Sequence, residues 1–103
     1  MRPGEEKSMF NNQRYATKGI TNTVPLVTQI ILWACIDSMK VERKDYLQVF
    51  KLVANGTNQQ VTHIQEEPTY ERTFTFPTDE PITAKIFVID DETHTAMLLA
   101  EEY

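Results

Sequence analysis

From Tyr46 to the C-terminus the chain is cut by turn signals into five strand-like segments. This run constrains the fold more than any other feature. Tyr46 to Ala54 is rich in aromatic and β-branched residues and stops at Asn55-Gly56, a strong hairpin signal. Gln59 to Gln65 returns, and Glu66-Glu67-Pro68 makes the next turn. In the third segment Tyr70, Arg72, Phe74 and Phe76 alternate with Glu71, Thr73 and Thr75, the period of a strand with one aromatic face. Pro81 limits the turn before Ile82 to Ile89, the most strand-like stretch, and Thr95 to Glu101 closes the chain. Asp90 to Thr93 lacks glycine, which predicts a loop of three to five residues built on a type I turn. Such short connections predict antiparallel neighbours.

Ahead of these strands lies one helix-like stretch. Arg14 to Lys18 predicts a short first strand ending at Gly19. Thr21-Asn22-Thr23 offers N-cap chemistry, and Pro25 suits a first helical turn, where its missing N–H costs nothing. The helix is expected from Val24 to Lys40, with Lys40 at the negative end of its dipole. The predicted fold class is therefore α+β: one main helix on a mostly antiparallel five- to six-stranded sheet, in the order β-α-β-β-β-β-β. Residues 10–103 are expected to form that single domain, after a disordered extension over residues 1–9. The stretch Gly4 to Met9 also matches the in-frame translation of a bacterial ribosome-binding site, which places the expected functional start at Met9.

With 103 residues the chain can bury one core without disulfides or metals. A net charge of −5, with no basic cluster, works against direct nucleic-acid binding. Cys35 is the only cysteine, which excludes an intrachain disulfide; its neighbours Ala34 and Ile36 suit a small apolar side chain in a helix, not a nucleophile. No signal peptide is visible, and the longest apolar run, Ile30 to Ile36, is too short to span a bilayer. The expected location is the cytoplasm, away from membranes.

Familiar catalytic signatures are absent: no glycine-rich phosphate loop, no Cys-x-x-Cys, no His-Glu-x-x-His and no nucleophile elbow. No catalytic residue and no cofactor is assigned. His63 and His94 lack evident partners for base chemistry. If the last five strands form a simple meander, Glu66-Glu67 and Asp90-Asp91-Glu92 share one edge of the sheet with His94 beside them. The two hairpins would then be centred about 10 Å apart. These six residues are candidate ligands for Ca²⁺ or Mg²⁺, and equally ordinary solvated turn residues.

On a helical wheel Val27, Ile30, Ile31, Ala34 and Ser38 form a stripe suited to packing on the sheet. Leu32, Trp33 and Ile36 fall on another side. Either the sheet or the N-terminal segment wraps the helix and covers both stripes, or these three residues form a partner-binding surface. The strands pose the same question. Phe50 and Leu52 oppose Val49 and Val53, and Ile86 and Val88 oppose Phe87 and Ile89, so residues 46–53 and 82–89 are apolar on both faces. One helix covers only one face. A homodimer through the second face, or wrapping by the N-terminal segment, is the expectation.

Several stretches together resemble a known family: Arg14-Tyr15 with Gly19, Val24-Pro25, Leu32-Trp33 with Ile36-Asp37, and Asp45 to Phe50, with His63 to Pro68, Pro81 to Asp91 and Met97 to Tyr103. They resemble the domain of unknown function 960 family, small proteins of low-GC Gram-positive bacteria and their mobile elements. The resemblance runs from about Met9 onward and brings no activity, ligand or site residues. It implies a single intracellular bacterial domain. The expected function is a non-enzymatic protein-interaction module, self-associating, and an accessory or inhibitor protein of a mobile element. The competing expectation is a small-ligand or divalent-metal-binding protein, or an enzyme, using the acidic loop edge.

Overall fold

The structure, a computed structural model, describes residues 10–103. The expectations for residues 1–9, disorder and a start at Met9, lie outside the described residues. The chain folds as β1 (Gln13–Ala16), α1 (Lys18–Thr23), α2 (Leu26–Asp37), β2 (Leu47–Asn55), β3 (Asn58–Gln65), β4 (Tyr70–Pro77), β5 (Ala84–Asp90) and β6 (His94–Leu99), with a 3₁₀ turn at Ala100–Glu102. All six strands join one sheet in the order β1-β6-β5-β2-β3-β4. The fold is α+β, as expected. The sheet is mixed, because β1 pairs with β6 in parallel while every other neighbour is antiparallel.

The turns explain the hairpins. Gly56 occupies the first position of a two-residue turn with φ +64°, the left-handed backbone that primed turns demand and glycine adopts freely. The β5–β6 loop runs through Asp91, Glu92 and Thr93, and Glu92 takes φ +82° without being glycine. The simple meander expected for the last five strands does not form. After β4 the chain crosses the tip of the β2–β3 hairpin and lays β5 on the far side of β2. The crossing is fastened by Thr78 N donating to Thr57 O at 3.0 Å, by the Gln59 side chain, and by Ala54 N donating to Thr83 Oγ1 at 3.1 Å. Gln59 is fully buried; its Nε2 donates to Ile82 O at 2.9 Å and its Oε1 accepts from Ile82 N at 2.8 Å.

The expected main helix, Val24 to Lys40, forms as α2, and the short α1 before it is an additional helix. Pro25 restricts the residue before it, and Val24 sits in extended backbone (φ −103°, ψ 122°), which ends α1 and restarts the helix at Leu26. Thr21 to Thr23, expected to cap the main helix, lie within α1 instead; α2 has Pro25 at its N-cap and no side-chain cap, while Thr17 caps α1 by accepting from Ile20 N. The wheel also placed α2 in the wrong rotation. Thr28, Gln29, Leu32, Cys35 and Ile36 are buried against the sheet, whereas Leu26, Val27 and Ile30 are 69%, 65% and 57% exposed. A helix apolar on nearly every side leaves its rotation to tertiary contacts. Here Gln29 Nε2 is held by Val24 O at 2.8 Å, and Arg14 stacks over the Trp33 ring at 4.7 Å while pairing with Asp37. The core lies between the helices and the inward residues of the strands, chiefly Phe50, Leu52, Val61, Ile86, Val88 and Met97.

Candidate functional site

Alternation along each strand sends a second set of apolar residues to the opposite face. Register places Tyr15, Ala96, Ile89 and Leu47 side by side in one row across β1, β6, β5 and β2. The next row runs Leu98, Phe87, Val49 and Ile64. Among the described residues, the buried apolar side chains of both helices join the core on the other face, so these rows face outward. Tyr15 and the flanking Tyr46 and Val53 are exposed, the remaining row residues half-buried by one another. Tyr103 meets the Phe87 ring edge-on at 5.6 Å. Contiguous apolar area of this kind marks interaction sites in soluble proteins.

Charge brackets the two rows. On one side Lys51 and Lys85 lie directly opposite each other in the β2–β5 register. Both are exposed, and neither is in an ion pair among the described residues. Like charges set directly opposite repel. On the other side Asp45 lies two residues before β2, Asp91 just after β5 and Glu66 just after β3. A half-open concavity of about 310 Å³ on this face is lined by Tyr46, Leu47, Val49 and Ile64, with Asp45 and Glu66 toward one end and Lys51 and Lys85 toward the other.

The residues singled out from the sequence lie elsewhere. Leu32 and Ile36 are fully buried, and Trp33 is partly buried beneath Arg14, so they form no contact surface. The exposed side of α2 instead carries Leu26, Val27 and Ile30. The six acidic-edge candidates share an end of the sheet but are not gathered. With β2 inserted between the two hairpins, their centres are three strand spacings apart, about 15 Å, not the 10 Å of a meander. Among the described residues no three of His, Cys, Asp and Glu come together as a metal group.

Asp90 is buried and fastens the N-terminal segment. Its carboxylate accepts from Phe10 N at 2.6 Å, Glu92 N at 2.7 Å and Asn12 Nδ2 at 3.1 Å. Burial pushes its pKa up, but these donors outweigh burial and hold it below the usual value. Asp91 organises its own turn, accepting from Thr93 N and His94 N, with the His94 ring 3.3 Å away. The hydrogen bond from His94 N leads in lowering its pKa. Glu66 and Glu67 are exposed on the β3–β4 turn.

A buried polar network went unread in the sequence. His63 lies stacked on Phe50, ring centroids 4.3 Å apart, and donates from Nε2 to Gln48 Oε1 at 2.7 Å. Gln48 Nε2 donates to Asp45 O and to Gln65 Oε1, and Gln65 Nε2 donates to Pro68 O at 2.8 Å. Burial, helped by Arg72, lowers the His63 pKa to about 4, so the ring is neutral at pH 7. With no exposed surface it ties two loops to the sheet and meets no substrate. The available signal was parity: Gln48 alternates with Phe50 and Leu52, and Gln59, His63 and Gln65 alternate with Val61.

Among the described residues no helix is long and apolar enough to cross a membrane. No curated protein matches the chain. A crystal structure of a protein of unknown function from Enterococcus faecalis shares the fold, with a TM-score of 0.74 and 24% identity over 90% of this chain and 92% of that one. The profile of the family described as "Staphylococcal protein of unknown function (DUF960)" matches residues 13–102, and the chain belongs to that family.

Proposed function

We propose that this protein is a non-enzymatic interaction module that binds protein through the open face of its sheet. The observation that carries this reading is the pair of apolar rows, Tyr15 to Leu47 and Leu98 to Ile64, on a face that neither helix covers. Two further features support it. Inward titratable groups such as His63 and Asp90 are committed to structural hydrogen bonds, and the outward face carries aromatic and aliphatic anchors of the kind that dominate interfaces. The module acts in the cytoplasm, as an accessory or inhibitor protein of a mobile element; its net charge of −5 suits a basic target surface. The test compares wild type with the double variant Val49→Ser, Phe87→Ser as bait in a host lysate. Loss of captured proteins, self included, is expected. An unchanged set would overturn the reading.

A second reading, a small-ligand site, rests on the concavity beside Tyr46. Its volume sits at the lower end of ligand pockets, and its two lysines would favour an anion over a metal ion. Saturable binding of small carboxylates or phosphates, lost in Lys51→Ala, Lys85→Ala, would support it.

A further inference from the structure

We infer that the occupant of the open face is a second copy of this chain, packed sheet to sheet about a two-fold axis that runs along the apolar rows. The inference rests on the reading that this face binds protein, and it adds the partner and the geometry. An axis lying between the two rows, perpendicular to the strands, returns each strand over its own counterpart with direction reversed. The row Tyr15, Ala96, Ile89, Leu47 then meets the row Leu98, Phe87, Val49, Ile64 of the second copy. The same operation carries Lys51 on β2 toward Asp45, two residues before the other β2, and Lys85 on β5 toward Asp91, just after the other β5.

Within one copy these charges do not meet. Lys51 and Asp45 are six positions apart along one strand direction, about 20 Å. Between copies they fall on matching strands, so the face is self-complementary in both apolar pattern and charge. The arrangement also gives the opposed Lys51–Lys85 pair a counter-charge that neither has in an ion pair among the described residues of one copy. The rows and their charged borders span about 20 Å by 20 Å from strand spacing and residue repeat, roughly 400 Å² a copy, the footprint of a weak, reversible contact. Micromolar affinity is therefore expected. Facing sheets pack about 10 Å apart, a gap the long lysine side chains can span.

The experiment is sedimentation across roughly 5 to 500 μM, the range in which such an interface dissociates. Wild type is expected to dimerise, and more weakly as salt rises. An acidic variant, Lys51→Glu, and a basic variant, Asp45→Lys, are each expected to weaken the homodimer by about tenfold or more. Mixed one to one, they are expected to form a heterodimer, which also shows that both fold. Wild type that stays monomeric throughout would overturn the second copy as occupant; the open-face reading would then stand or fall on the Val49→Ser, Phe87→Ser bait comparison. A dimer indifferent to both charge variants, or variants that fail to recover on mixing, would overturn the two-fold geometry.

Discussion

Acidification should unfold this protein through one residue before the carboxylates contribute. His63 is fully buried, and its folded pKa is about 4 against an ordinary value of 6.5. Between those values the unfolded chain binds a proton that the folded chain refuses, so stability is complete above pH 6.5 and falls as pH drops toward 4. At 1.36 kcal/mol per unit, the loss is about 1.4 kcal/mol at pH 5.5 and about 2.5 kcal/mol at pH 4.5. Asp90, Asp91 and Glu102 have lowered pKa values, so their contributions are lost only below the ordinary carboxylate range. Urea unfolding at fixed protein concentration from pH 7.5 to 4.5 measures the drop, with His63→Gln as the reference. Glutamine can still donate toward Gln48 but does not titrate, so the drop between pH 6.5 and 4.5 should largely vanish in the variant. A wild type equally stable at both ends, or a variant with the same slope, would refute the reasoning.

Asp90→Ala removes the acceptor of two backbone amides and the Asn12 side chain, and should cost about 2–4 kcal/mol in urea unfolding, whereas Asp91→Ala on the exposed turn should cost about 1 kcal/mol or less. Glu92 holds φ +82°, so Glu92→Gly relieves left-handed strain and should raise stability by about 0.5–1 kcal/mol, a gain visible as a higher Tm. Because the acidic turns are about 15 Å apart, Ca²⁺, Mg²⁺ and Mn²⁺ should leave Tm unchanged in a thermal-shift titration, and a saturable rise would restore a metal site.

The strands were legible because alternation and turn residues are local. Asn55-Gly56 and Glu66-Glu67-Pro68 announced hairpins, and every strand end falls within two residues of its expected place. Strand order was not, because the crossing from β4 to β5 depends on Gln59 and Thr83 reaching partners far along the chain. Pro25 announced the start of the main helix, whereas α1 before it is six residues long, too short to show a helical period. The rotation of α2 was illegible: with Leu26, Val27, Ile30, Leu32 and Ile36 all apolar, only contacts made by Gln29, Arg14 and Trp33 decide which are buried. The open face was foreseeable from strands apolar on both sides, since one helical layer covers only one face of the sheet. What the sequence could not show was its charged border, which depends on β5 lying beside β2.

Two apolar patches compete for the role of binding surface, the sheet rows and the exposed side of α2. Methyl NMR with a soluble paramagnetic probe separates them directly. As protein concentration rises, the methyls of Leu47, Val49, Ile64, Ile89 and Leu98 should become shielded from the probe, while those of Leu26, Val27 and Ile30 stay accessible. Shielding confined to Leu26, Val27 and Ile30, with the sheet methyls unchanged, would contradict the account.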